Sequence, residues 1–224
     1  MITKDTLNFL EKLSNNNNKE WFIANKNIYE NELKNVNIFF KSVYEKLQKI
    51  DNLENIKIFR IYKDVRFSKD KTPYKTNFGA AFIRKKPELR GGLYIHIENK
   101  KSFVGGGFWE PNAQDLFRIR KEFEIDASEI KSIINNKEFK KYFGTLQGDE
   151  VKTAPKGFNK LHPNIDLIRK KQFLISKSFD NEEVTSLNFA DNVIDTFIKM
   201  YPFFNYMTEV LTTDLNGISI LNKQ

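Results

Sequence analysis

The stretch Ile56-Lys-Ile-Phe-Arg-Ile-Tyr-Lys63 decides the fold class. Ile56, Ile58, Arg60 and Tyr62 share one face at a period of two, which predicts a strand. Upstream the period is helical. Thr3 can cap a helix with Leu7, Leu10 and Leu13 on one face, and Asn18 can cap a second that opens KEWF. The stripe Val36, Phe39, Phe40, Val43, Tyr44 and Leu47 carries the helical reading to about Ile50. A break near Asn35 is expected, because a globular helix averages roughly 11–12 residues. Downstream of Lys63 the strand period persists in TNFGAAFI (76–83), GLYIHIE (92–98) and SFVGGGF (102–108). Leu93, Ile95 and Ile97 point inward, and Tyr94, His96 and Glu98 share the opposite face. The short connection at Asn99 and Lys100 favours antiparallel pairing. From Pro111 the helical period returns with Leu116, Phe117, Ile119 and Phe123, and residues 127–143 hold one or two short helices. A loop with Pro155, Gly157 and Pro163 precedes a strand at 172–179, and Leu187–Tyr201 reads as an amphipathic helix ended by a corner at Pro202. The period changes at 56 and 111 with no linker between. The expectation is one α+β domain over residues 1–224, a mainly antiparallel sheet flanked by N-terminal and C-terminal helices.

Composition narrows the function classes. Hydrophobic residues make up 40% of the 224 and aromatics 14%, with 21 Phe, enough for a sizeable core. Cysteine is absent, which excludes a disulfide framework, a Cys-built zinc site, an iron–sulfur cluster and a thiol nucleophile. Two His leave little room for an all-His metal site. No run approaches the roughly 20 apolar residues of a membrane span. The opening MITKDTLNFL lacks the apolar run of a secretory signal, so a cytoplasmic location with no membrane partner is the expectation. The net charge is +8, but 30 of the 37 basic residues are Lys and only 7 are Arg. Lys supplies generic solvated charge; the planar fork of Arg is needed where an anion is held bidentately. Four of the seven Arg form two close pairs, Arg60 with Arg66 and Arg118 with Arg120.

The densest constellation is Arg60 to Lys75, RIYKDVRFSKDKTPYK, with two Arg, four Lys, two Asp and two Tyr in sixteen residues. An Arg on the inward row of a strand requires an anionic partner or ligand, and Asp64 and Asp70 are the nearest candidates. Arg60, Arg66, Lys71 and Lys75 suit phosphate oxygens, with Tyr74 and Asp64 shaping a pocket and Asp70 or His96 as acid–base groups. Arg120, near the edge of the apolar face of its helix, and Lys156, before Gly157 in a loop beside His162, are further ligand candidates; Arg118 is expected to be solvated. Asp64 and Asp70 are possible carboxylate ligands of Mg²⁺, but the surrounding cations argue that they are already paired, so no metal site is expected. Gly105-Gly106-Gly107 is neither a P-loop nor a dinucleotide fingerprint; it fits a bulge, a close helix–sheet contact or a ligand approach. No G-x-S-x-G or H-E-x-x-H is present. The favoured reading is a cationic pocket for a small phosphorylated or polyanionic ligand, with an enzymatic step on it open and no cofactor indicated. The alternatives are a nucleic-acid-binding module, from the aromatics Tyr62, Phe67 and Tyr74 interleaved with basic residues, and a purely structural salt-bridge network that pins the loop.

The same sixteen residues resemble a known signature, Arg-x-x-Arg-Asp-x-Arg-Phe followed by Asp-Lys and Tyr, here Arg60, Lys63, Asp64, Arg66, Phe67, Asp70, Lys71 and Tyr74. Asn17 to Phe22, Tyr94-Ile-His96, Gly105-Gly106-Gly107 and Pro155-Lys156-Gly157-Phe158 extend the resemblance over nearly the whole chain. The family is domain of unknown function 2461, found in bacteria and some fungi, and the resemblance implies no particular activity. One departure is visible: Lys63 stands where the signature has Arg, which keeps the charge and loses the fork.

Overall fold

Short polar caps set the first elements. The computed structural model describes residues 1–221. Thr3 accepts the Thr6 amide and opens α1 (Lys4–Asn15); Asn18 accepts the Trp21 amide at 2.8 Å and opens α2 (Lys19–Ala24). The helix break falls at Asn25 rather than near Asn35. Asn25 leaves helical geometry at φ −109°, ψ 16°, and its side-chain amide donates to the Trp21 carbonyl at 2.8 Å. From there α3 (Lys26–Leu47) runs unbroken, because Val36, Phe39, Phe40, Val43 and Leu47 are each at most 2% exposed and hold the helix together across the polar Asn35.

Five strands follow the alternating stretches: β1 (Leu53–Ile58), β2 (Phe78–Arg84), β3 (Gly92–Ile97), β4 (Ser102–Phe108) and, after the helices below, β5 (Phe173–Phe179). They form one antiparallel sheet in the order β1-β2-β3-β4-β5, so the fold class is α+β with helices toward both ends of the chain. In β3, Leu93, Ile95 and Ile97 are buried, and Tyr94, His96 and the following Glu98 lie half-buried on the other face, as the period predicts. Strand β1 begins and ends earlier than the 56–63 expected. The Phe59 amide still reaches the Gly79 carbonyl at 2.9 Å, and beyond it the chain leaves the sheet.

The remaining helices are α4 (Ala113–Ile125), capped by Asn112, α5 (Ser128–Asn135), α6 (Lys137–Phe143), α7 (Ile165–Ile168), α8 (Asn181–Thr185) and α9 (Phe189–Thr212). Pro202 is not a corner: it lies inside α9. An interior Pro costs about 3 kcal/mol. Continuing the helix buries Phe203, Phe204 and Met207 completely, and each such side chain contributes about 1.5–3 kcal/mol, so burial outweighs the lost hydrogen bond. No helix among the described residues is long and apolar enough to cross a membrane.

Contacts divide the chain into two compact units. The first comprises Met1–Ile83, Tyr94–Val104 and Ser178–Asp195; the second comprises Arg84–Leu93, Gly105–Lys177 and the described residues from Thr196 on. The first has a core of α1, α3 and strand side chains in which Phe39 stacks on Phe189 at 5.2 Å. It also buries a polar pair, Thr6 Oγ1 donating to Glu32 Oε2 at 2.6 Å. In the second, α9 packs on β4 where Gly105-Gly106-Gly107 lies buried. A Cβ on Gly106 would stand 2.9 Å from the Phe204 ring and 3.0 Å from Met200 Sδ. Gly106 is thus explained by close helix–strand packing, and Gly107 by its φ of +138° and by the neighbouring strand, whose Phe173 carbonyl oxygen would lie 2.1 Å from a Cβ.

Candidate functional site

Residues 61–75 form a two-stranded arm that continues from the first unit's strands. Tyr62 pairs with Tyr74 in an antiparallel bridge, the Lys63 amide donates to the Pro73 carbonyl at 2.9 Å, and the Lys75 amide donates to the Ile61 carbonyl at 2.7 Å. The base of the arm is anchored. Tyr74 is buried, and its ring stacks on Phe22 with centroids 3.9 Å apart. Asn17 clamps its backbone from both sides: Asn17 Nδ2 donates to the Tyr74 carbonyl at 2.9 Å and Oδ1 accepts the Tyr74 amide at 3.1 Å. Tyr74 therefore serves packing.

At the tip of the arm both carboxylates are paired, Asp64 with Arg66 and Asp70 with Lys63. Arg66 grips Asp64 with two bonds, Nε to Oδ1 at 3.0 Å and Nη2 to Oδ2 at 2.7 Å, while its side chain remains 77% exposed. That grip, with a smaller pull from Arg60, holds the Asp64 carboxyl below its usual range. Asp70 accepts from Lys63 Nζ at 2.8 Å and from the Thr72 amide at 2.9 Å, and the same partners, Lys63 first, hold its carboxyl well below the usual range. Lys71 Nζ donates to the Val65 carbonyl at 3.0 Å. Asp70 is thus engaged as an acceptor, and ionised it has no proton to give.

The root of the arm differs. Arg60 is exposed and lies beyond the end of β1, so it is not the buried row member that the alternation suggests. Among the described residues no carboxylate lies within ion-pair distance of Arg60, Lys57 or Lys75. The ammonium groups of Lys75 and Lys57 stand over the Phe59 ring, at 5.2 and 5.4 Å from its centroid. Burial, then Arg60, then Lys57 pull the Lys75 ammonium below its ordinary range. Three cations thus gather without a directly paired anion; Asp64, which feels Arg60 weakly, is already gripped by Arg66.

Phe59 also meets Tyr94 edge-on at 6.0 Å, and Tyr94 opens a polar chain along β3. Tyr94 Oη lies 3.0 Å from His96 Nδ1, and His96 Nε2 lies 2.9 Å from Glu98 Oε2. Thr76 Oγ1 donates to Glu98 Oε1 at 2.9 Å, and His96 stacks on Phe103 at 4.8 Å. An ionised carboxylate only accepts, so Glu98 assigns the proton of the neutral ring to Nε2 and leaves Nδ1 to accept the Tyr94 hydroxyl. Burial first, then the Glu98 charge, push the Tyr94 phenol up to about 12, against an opposing hydrogen bond from Asn77. Gly79 makes room for the phenol: a Cβ there would lie 2.5 Å from Tyr94 Oη.

Within the first unit, Arg60 and Lys75 stand at the root of the arm and His96 on β3, while at the tip Asp64 pairs with Arg66, Asp70 pairs with Lys63, and Lys71 is held by the Val65 carbonyl. Arg120 and Lys156 belong to the second unit. Arg120 Nη2 donates to the Lys170 carbonyl at 3.0 Å, its Nε is buried without a hydrogen-bond partner, and burial lowers its affinity for its proton. Lys156 is exposed in a loop whose Phe158 packs edge-on against Phe117 at 6.1 Å. Arg118 is not solvated as expected. Only 18% exposed, it donates to the carbonyls of Thr213 and Asp214 and to Glu122 Oε2, because the segment after α9 folds back over it. Sequence reasoning left Lys57, Phe59, Tyr94 and Glu98 out of the site; the alternation of β3 already places residues 94, 96 and 98 on one face. Among the described residues no three His, Asp or Glu side chains cluster as a metal site.

A protein family described as "Conserved hypothetical protein (DUF2461)" matches residues 5–206, and the chain belongs to it. No curated protein and no solved structure matches the chain.

Proposed function

We propose that this protein is a cytoplasmic binder of a small phosphorylated or otherwise polyanionic ligand, held at the root of the arm by Arg60, Lys75 and Lys57 over Phe59. One observation carries the reading: three cations share this spot with no carboxylate in ion-pair contact, and the ammonium of one of them, Lys75, is destabilised by burial first and then by Arg60 and Lys57. An anion there relieves that repulsion and gains charge-assisted hydrogen bonds, each contributing about 1.5–3 kcal/mol. The paired tip, Asp64 with Arg66 and Asp70 with Lys63, keeps the arm in shape beside the ligand.

The test is differential scanning of the full chain against nucleotides, sugar phosphates and polyphosphate. A binding anion raises the melting temperature of the wild type and has less effect on Arg60→Ala and Lys75→Ala. If no anion shifts the wild type, the reading fails.

A second reading, binding of single-stranded nucleic acid, is favoured by Phe67, 96% exposed at the tip beside Arg66, Lys69 and Lys71. The two separate by salt. Oligonucleotide affinity that falls steeply with salt and is not competed by small phosphates selects the second reading.

A further inference from the structure

The anion reading leaves the Tyr94–His96–Glu98 chain without a task, and that chain is more than a surface contact. His96 and Glu98 side chains are only 15% and 21% exposed, and every ring nitrogen of His96 is engaged. Glu98 is fixed in turn by Thr76 at 2.9 Å, and its backbone amide by Ser102 Oγ at 3.0 Å. The order is carboxylate, imidazole, hydroxyl, with each group orienting the next. This is the logic by which a buried carboxylate sets a tautomer and a neutral ring withdraws a hydroxyl proton. Tyr94 reaches toward the cation cluster through Phe59, which both Lys57 and Lys75 touch.

We propose that Glu98, His96 and Tyr94 form a proton relay that makes Tyr94 Oη the acid–base group for hydrolysis of a phosphate monoester bound at Arg60, Lys57 and Lys75; the proposal rests on the anion-binding reading. In the step, a water molecule gives a proton to Tyr94 Oη while the phenolic proton passes to His96 Nδ1, and the imidazolium is held by Glu98. The water's electron pair forms the new P–O bond. The ester P–O bond breaks on the far side of phosphorus, and its electron pair remains on the alcohol oxygen, which takes a proton from solvent water while the relay returns its own proton to solvent. The products are the alcohol and hydrogen phosphate. The three cations balance the phosphoryl charge. Because burial and the Glu98 charge oppose a free phenolate, the proton passes through Tyr94 without leaving it ionised. Tyr94 is the catalytic residue; His96 and Glu98 are positioning residues.

The experiment measures phosphate release by the full chain from glucose 6-phosphate, AMP and phosphoserine, with thermal shift by the same esters recorded in parallel. Wild type is expected to release phosphate from at least one ester. Tyr94→Phe is expected to lower turnover at least about a hundred-fold while the same ester still raises its melting temperature. The ¹⁵N spectrum of the His96 ring should show the Nε2–H tautomer in wild type and lose it in Glu98→Gln. If an ester raises the melting temperature but no phosphate appears, or Tyr94→Phe turns over like wild type, the relay is overturned and the anion site stands. The Nδ1–H tautomer in wild type overturns the relay as well. If no ester shifts the melting temperature and none is hydrolysed, the relay is overturned; the anion reading falls with it when nucleotides and polyphosphate leave the melting temperature unchanged as well.

Discussion

Removing the Asn17 side chain should loosen the arm that carries the candidate site, although Asn17 lies 57 residues away from its partner in sequence. Its amide makes two bonds to the Tyr74 backbone, at 2.9 and 3.1 Å. Each hydrogen bond contributes about 0.5–1.5 kcal/mol net, so Asn17→Ala should cost about 2 kcal/mol, and in a chain of this size lower Tm by roughly 4–8 °C. The loss is local in origin. The Tyr74 and Lys75 amides should exchange with solvent faster, since the Lys75 bond to Ile61 closes the same pair of strands. Asn17→Asp sharpens the test: it keeps the acceptor for the Tyr74 amide but sets a carboxylate oxygen against the Tyr74 carbonyl, so it should recover less than half of the loss. Urea denaturation with native-state hydrogen exchange is the assay. A stability change below about 0.5 kcal/mol, with Tyr74 exchange unaltered, would refute the clamp.

Further outcomes follow from the same geometry. Thr6→Val keeps the shape of a fully buried side chain and takes a 2.6 Å donor from the buried Glu32; urea unfolding should show a loss of about 1–3 kcal/mol. Tyr94 titrates above its ordinary value in the fold, so its contribution to stability is complete below about pH 10 and is lost as pH rises toward about 12. A Tyr94→Phe chain should therefore show a flatter fall of Tm in that alkaline window. Phe67→Ala, at a position 96% exposed, should change stability by no more than about 0.5 kcal/mol, and a larger loss by calorimetry would mean that the tip packs against something.

What the sequence disclosed and what it hid follow from range. The caps at Thr3 and Asn18 and the alternation of β3 are local signals, and each appears in the fold as read. The helix through Pro202 was not legible, because its continuation depends on how deeply Phe203, Phe204 and Met207 are buried, which no local rule states. Arg118 was misread for the same reason: the carbonyls that bind it lie 95 and 96 residues on. At the site, Arg60 and Lys75 stood out by charge density. The row assignment of Arg60 did not survive, since the strand ends at Ile58 before reaching it. The pairing of Asp64 with Arg66 and of Asp70 with Lys63 depends on the turn geometry of the arm. Lys57 and Phe59 were passed over because an alternating strand face draws the eye to its apolar row.

The absence of a side chain at Gly106 ties its future to two other residues. With Phe204 and Met200 at the distances a Cβ would occupy, position 106 has no freedom to grow by itself, and a lineage could enlarge it only after trimming residue 204 or 200. Across any set of descendants of this sequence, side-chain volume at 106 should therefore vary inversely with the volume at those helix positions. An alanine at 106 beside an intact Phe204 would signal that the helix had moved outward from the strand.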